Sequence, residues 1–320
     1  MTIHAVPQQT AEQRKQTRSL RRLMHRFALD WRLYVLAAPG LLFFLIFKYG
    51  PMWGLVIAFQ DYSPYLGMMD SPWVGVKHFT AFFLNESFWV LLRNTLSISM
   101  LSLLFYFPAP IILALMLNEV GNRHFKKITQ TAIYFPHFLS WVIIYGLTYI
   151  LLNQTDGVVN LAIAKLGGDA VPFMTSEKLF YPLLILQNIW KDAGYGTIIF
   201  LAALSGVDPA LYEAARMDGA SRLRQIWHVT LPGIRYVIIV VLILRLGHVL
   251  DIGFEQIFLM NNAIVSDIAD VFDTYVFRNG IQQGQFSYAS AVGLFKSVVA
   301  TILVIAANSL SKRMGQGGLY

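Results

Sequence analysis

The sequence predicts an all-α, polytopic membrane protein with six transmembrane helices. Three observations carry that expectation. Apolar residues make up 56% of the 320-residue chain and charged ones only 13%, about half the charged share usual in soluble domains. Six apolar stretches, at 33–59, 88–117, 129–152, 180–204, 234–257 and 288–308, reach the ~20 residues that a helix needs to cross the hydrocarbon layer. The basic residues between them gather on alternate connections.

The chain opens on a basic segment, 1–32, holding Arg14, Lys15, Arg18, Arg21, Arg22, Arg26 and Arg32. It has no apolar core or small-residue cleavage site and so is no signal peptide. It reads as a cytoplasmic tail that orients the first span, rather than as a lipid- or nucleic-acid-binding arm, although the net charge is +7. Arg123, Lys126 and Lys127 follow the second span; Arg216, Arg222, Arg224 and Arg235 follow the fourth; Lys312 and Arg313 follow the sixth, in a C-terminal tail at 311–320. The opposite connections are acidic, with Asp61, Asp70, Glu86, Asp156, Asp169, Glu177, Asp267, Asp270 and Asp273. Positive charge stays inside, so both termini are expected in the cytoplasm, flanking a membrane domain at 33–310.

Prolines and glycines are expected to break spans one (Pro39, Gly50, Pro51, Gly54) and two (Pro108, Pro110). A bilayer tolerates such breaks only where neighbouring helices or a water-filled cavity satisfy the freed backbone groups, which points to a packed bundle enclosing a path. The outer connections 61–79 and 261–286 are long enough for short helices that close its outer mouth.

One cytoplasmic loop, 206–233, stands out as polar between two apolar runs. Asp208-Pro209 is a helix start, with an acceptor at the N-cap and proline where its missing N–H costs nothing. The first helix should run to about Met217, turn at Asp218-Gly219, and hand over to a second, capped by Ser221 and ended by Leu231-Pro232-Gly233 before span five. Leu211, Ala214 and Ala215 offer small apolar contact, with Tyr212, Glu213 and Arg216 on a polar side. Such a helix suits docking of a soluble partner, or else simply links two spans.

Span five carries Arg245, His248, Asp251 and Glu255. On one continuous helix the last three fall within about 60° of each other, a polar stripe in the outer half of the membrane. Lys48 and Lys296 lie at comparable depth. The stripe reads either as buried pairing of Arg245 or Lys296 with Asp251 or Glu255, or as a polar lining for a saccharide path, where a uronate would meet a cation. A proton relay through His248, Asp251 and Glu255, the mark of a proton-coupled secondary transporter, is the rival reading. Tyr49, Trp190 and Tyr195 could stack on sugar faces, beside Asp192, or sit at the membrane interface. No histidine pair has metal-ligand spacing, and no nucleophile stands beside a base.

In "EAARMDGASRLRQIWHVTLPGI", three residues separate Ala215 from Gly219 and eleven more precede Leu231-Pro232. This loop resembles the cytoplasmic "EAA" loop of permease subunits of ABC importers. "RLYVLAAPGLLFFLIFKYGPMWGLVIAFQDYSP", "FPAPIILALMLNEV", "IWKDAGYGTIIFLAALSGVDPALYEAA" and "YASAVGLFKSVV" extend the resemblance over most of the chain, toward the oligo- and polysaccharide permeases, alginate importers among them. The resemblance implies a type I importer fold in a bacterial inner membrane. It implies a second permease subunit in a heterodimer, two ATPase subunits carrying ATP and magnesium, an external solute-binding protein, and no cofactor on this chain. It further implies that Tyr212, Glu213, Ala214, Ala215, Arg216, Asp218, Gly219 and Ala220 form the contact with the ATPase. The chain lacks the G-x-x-x-x-G-K-[ST] phosphate loop and is not that ATPase.

Overall fold

The structure, a computed structural model, describes residues 30–313. The basic segment at 1–29 and the last residues of the C-terminal tail lie outside them. The described chain is helical throughout, apart from an isolated antiparallel bridge between Gln60 and Trp73. We number its helices α1 Trp31–Phe59, α2 Gly67–Asp70, α3 Lys77–Leu84, α4 Ser87–Glu119, α5 Arg123–Phe138, α6 Trp141–Leu152, α7 Val158–Lys165, α8 Glu177–Ser205, α9 Pro209–Met217, α10 Arg222–Gly247, α11 Phe254–Met260, α12 Ser266–Ala269, α13 Phe272–Phe277 and α14 Phe286–Arg313. Among the described residues, α1, α4, α10 and α14 are long and apolar enough to cross a membrane, and counting each of the bent pairs α5–α6 and α8–α9 as one span gives up to six. The chain divides into two units, residues 1–56 and 57–320; α1 belongs to the first as far as Val56, and the remaining helices form the second.

The prolines do not interrupt their spans as expected; the helices pass through them. In α1 the Gly50 N–H donates to the carbonyl of Leu45, five residues back, immediately before Pro51. In α4 Phe107 donates to Ser102 at 2.9 Å immediately before Pro108. In α10 Leu231 donates to Ile226 immediately before Pro232. A proline ring clashes with the carbonyl four residues back and offers it no N–H. One widened turn shifts that carbonyl aside and moves the missing bond to the seam. The second cytoplasmic helix therefore does not end at Leu231-Pro232-Gly233 but runs on into α10.

Spans three and five do break, where continuous helices were expected. After α5 the chain turns through 102° into α6. Pro136 and the extended Leu139 end one helix, and the Ser140 hydroxyl caps the next by accepting from the Ile143 N–H at 3.4 Å. The α10 helix stops at Gly247, and Gly253, at φ 81°, reverses the chain before α11. Gly247 is where α14 comes close, since an added Cβ would lie 2.8 Å from Val304 Cγ2.

The outer connections do fold into short helices, α2 and α3 on one and α12 and α13 on the other. Phe82 of α3 and Phe272 of α13 pack with Phe88 of α4 and Val292 of α14. A second cluster joins α4, α8 and α11 through Ile98, Phe180, Leu184 and Ile257. Asn160 and Asn279 are buried and bonded to backbone: Asn160 to Asn153 and Val171, Asn279 to Tyr275.

The tightest approach between spans is at Gly194 of α8, where a Cβ would stand 1.9 Å from the Ile133 carbonyl oxygen of α5. Gly194→Ala is expected to cost about 1–3 kcal/mol through overpacking and to lower the melting temperature of the detergent-solubilised assembly. Gly293→Ala, where an added Cβ meets no atom of this chain within 4 Å, should not lower it.

Candidate functional site

The polar loop 206–233 keeps the caps and the turn that its sequence implies. Asp208 caps α9 by accepting from the Ala210 N–H at 2.9 Å, Gly219 turns the chain at φ 71°, and the Ser221 hydroxyl accepts from the Arg224 N–H at 3.4 Å. The α9 axis leaves α8 at 73°. It buries no side chain of its own: Glu213, Ala214, Arg216 and Asp218 are not buried, and Met217 is 89% exposed. What fixes the helix is Tyr212, whose hydroxyl lies 3.0 Å from that of buried Thr230 at the base of α10. Gln225 donates to the Ala220 carbonyl at 2.8 Å, and Arg222 reaches Glu119 at the end of α4 at 3.4 Å. Between α9 and the end of α4 opens a polar cleft of about 710 Å³, lined by Asn118, Tyr212, Arg216 and Gln225.

Within the membrane, the break after α5 is clasped to α8. The bend frees backbone carbonyls, and Lys191, 9% exposed, donates its ammonium to those of His137 (2.8 Å) and Leu139 (2.7 Å). Trp141 covers the same ammonium at 5.5 Å. One residue on, the Asp192 carboxylate lies 2.8 Å from His137 Nδ1. The His137 ring stacks on Tyr195 with centroids 3.9 Å apart and planes 5° apart, so one face of Tyr195 is already covered. Trp190, next to Lys191 in the chain, is half exposed.

The polar stripe of span five does not form. The helix ends at Gly247, so His248, Asp251 and Glu255 share no helical face. His248 and Asp251 stay together at 3.3 Å, whereas Glu255 lies on α11, apart from them. Lys296 of α14 inserts between Asp251 and Asp273 and bonds to both. Of the pairings weighed, Lys296 with Asp251 is made, and Arg245 with an acid is not. The Arg245 guanidinium lies over the Tyr106 ring, 5.0 Å from its centroid. Arg245, His248 and Tyr106 line a groove of about 290 Å³ between α4, α8 and α10, walled by Pro110, Gly196 and Phe200. Lys48 and Tyr49 are exposed on α1, in the other unit.

Sequence reasoning missed His137, Tyr106 and Asp273. It missed equally the buried amides Gln187 and Gln256, which bond to each other at 2.9 Å and tie α8 to α11. Pro136 beside His137, at the only proline of span three, was the available sign that a polar partner would be needed there.

Long apolar helices, two bent helix pairs, an exposed capped helix and a polar groove between spans define a transport permease. The chain belongs to the family described as the binding-protein-dependent transport system inner membrane component, whose profile matches residues 106–316. It is thus the membrane-spanning permease of an ABC-type importer, and ATP hydrolysis belongs to separate subunits. It is 52% identical to the polygalacturonan/rhamnogalacturonan transport system permease protein YteP of Bacillus subtilis (strain 168), over 94% of each chain. It is 54% identical to the protein LplB of the same organism, over 91% of this chain and 92% of that one. A solved structure, a bacterial ABC transporter involved in the import of the acidic polysaccharide alginate, superposes with a TM-score of 0.85 at 44% identity, covering 92% of this chain and all of that one. A second, of a bacterial alginate ABC transporter in complex with an alginate pentasaccharide-bound periplasmic protein, also gives 0.85, at 43% identity over 93% of this chain.

Lys296 neutralises two carboxylates at once. Lys296→Met leaves both without that counter-charge and is expected to cost about 3 kcal/mol, read as thermal unfolding of the assembly. Adding Asp273→Asn should recover part of the loss, whereas additive effects in the double variant would remove the shared bridge.

Proposed function

We propose that this chain forms half of the translocation path of an importer for an acidic oligo- or polysaccharide. A second permease subunit completes the path in a heterodimer, an extracytoplasmic solute-binding protein delivers the sugar, and two ATPase subunits drive it. ATP and magnesium sit on those ATPases, and this chain binds no cofactor of its own. Both termini lie in the cytoplasm, as the basic residues at Arg123, Lys126, Lys127, Arg222 and Arg224 favour. The substrate class is supported by two relatives from different comparisons, since polygalacturonan and alginate are both chains of carboxylated sugars.

The observation that carries the coupling role is α9, a capped, exposed helix set at 73° to its span and held there by Tyr212 and Thr230. We assign Tyr212, Glu213, Ala214, Ala215, Arg216, Asp218, Gly219 and Ala220 to the ATPase contact. The helix moves as a body with the base of α10, so closure of the ATPases is transmitted to the spans. In the path we place Arg245, His248, Asp192, Tyr195 and Trp190. Asp251, Lys296 and Glu255 stand nearer its outer end, where the Lys296 bridge holds α13 and α14 to the break after α10.

Reconstituted with its partners in proteoliposomes, the importer should take up oligogalacturonate or oligomannuronate only with ATP, and uptake should persist when the proton gradient is collapsed. Uptake that follows the gradient without ATP would overturn the reading. Glu213→Arg, or Gly219→Val at its positive φ, should lower ATP-driven uptake at least about ten-fold, a loss of some 1.4 kcal/mol in coupling, or release the ATPase subunits on size-exclusion chromatography. Unchanged assembly and uptake in both variants would remove the docking role from α9.

A further inference from the structure

We infer that Arg245 is the residue of the path that recognises the carboxylate of the sugar. This rests on the acidic-saccharide reading above and assigns its specificity to one side chain. Four other cations among the described residues of the 57–320 unit are already engaged. Lys296 lies between Asp251 and Asp273, and Lys191 is bonded to two carbonyls. Arg278 holds Asp270 with both terminal nitrogens, at 3.2 and 2.5 Å. Arg93 is bonded to Asn94 and to the Asp267 carbonyl.

Arg245 differs. Its one charge-compensating contact among the described residues is the face of Tyr106, and no carboxylate there forms an ion pair with it. A ring face steadies a guanidinium but accepts none of its five N–H donors in the plane. An arginine deep in a membrane helix is costly to insert and persists where it faces a water-filled space or a ligand. Arg245 faces such a space, the groove it lines with His248 and Gly196.

The neighbouring acids do not compete for it. Asp251 is taken by Lys296 and His248, and Asp192 by His137. The guanidinium fork matches a carboxylate in two parallel bonds, while the hydroxyls of a neutral sugar offer only single acceptors. Tyr106 keeps the fork turned toward the groove, and its ring, not its hydroxyl, does so.

The test uses the complete importer in proteoliposomes, with uptake normalised to assembled complex. The probes are oligogalacturonate and its methyl ester, each presented on the same solute-binding protein. Because that protein is common to all variants, the ratio of variant to native uptake isolates the permease. Arg245→Met is expected to lower uptake of the acid about ten-fold or more while changing uptake of the ester less than about two-fold. Arg245→Lys, which keeps the charge but not the fork, should lose less of the acid uptake than Arg245→Met. Equal losses for acid and ester, equal losses with lysine and methionine, or no loss with methionine would each overturn the assignment. If the ester is not carried by the native importer, the comparison of lysine with methionine decides. A native importer that carries only neutral saccharides would instead overturn the acidic-saccharide reading itself, an outcome separate from failure of Arg245 alone.

Discussion

Everything in this fold answers to one constraint: inside a bilayer, a backbone N–H or carbonyl without a partner has no water to turn to. The widened turns before Pro51, Pro108 and Pro232 satisfy it locally, by passing a bond one residue further along the helix. At the bend after α5 no local remedy exists, because the helix truly ends. There the remedy comes from another span, as the Lys191 ammonium takes the carbonyls of His137 and Leu139. A cation buried for this purpose fixes the register of α8 against α5, and Gly194 lets the two backbones meet. The clasp thus also sets where His137, Asp192 and Tyr195 stand.

Charge obeys the same constraint. Lys296, Asp251 and Asp273 come from three separate elements and are bonded at the point where α10 breaks. Removing Lys296 takes the shared counter-charge from both carboxylates, so the bridge holds α13 to α14 and to the break after α10. With Asp251, Asp273 and Asp192 already partnered, Arg245 stands out among the described residues of this region as the cation whose fork is still open. The cytoplasmic side is built on the opposite plan. The α9 helix keeps its charges in water, and two hydroxyls, Tyr212 and Thr230, tether it to α10. A tether of that kind lets a docked partner move the span without unfolding the helix.

The spans, their number and the cytoplasmic loop were legible because each depends on residues close in sequence. Asp208 caps α9 with a bond to Ala210, Ser221 reaches Arg224, and Gly219 needs only its own φ. The stripe of His248, Asp251 and Glu255 was misjudged because it presumed one continuous helix. Gly247 and Gly253 are individually tolerable in a helix, and what ends this one is the close approach of Val304 from α14 together with the left-handed turn at Gly253. The importance of His137 was equally hidden, since its partner Asp192 lies 55 residues away along the chain.

The sequence by itself determined that this chain lives in a membrane and where a capped polar helix interrupts the apolar runs. Those properties follow from composition, spacing and short-range hydrogen bonding, and neighbouring spans alter them little. Only the tertiary structure decided which charges pair, which helices break, and which cation is left to face the groove. Pairing in a low-dielectric interior depends on distances of a few ångströms between residues far apart in the chain, and such distances exist only once the spans have packed.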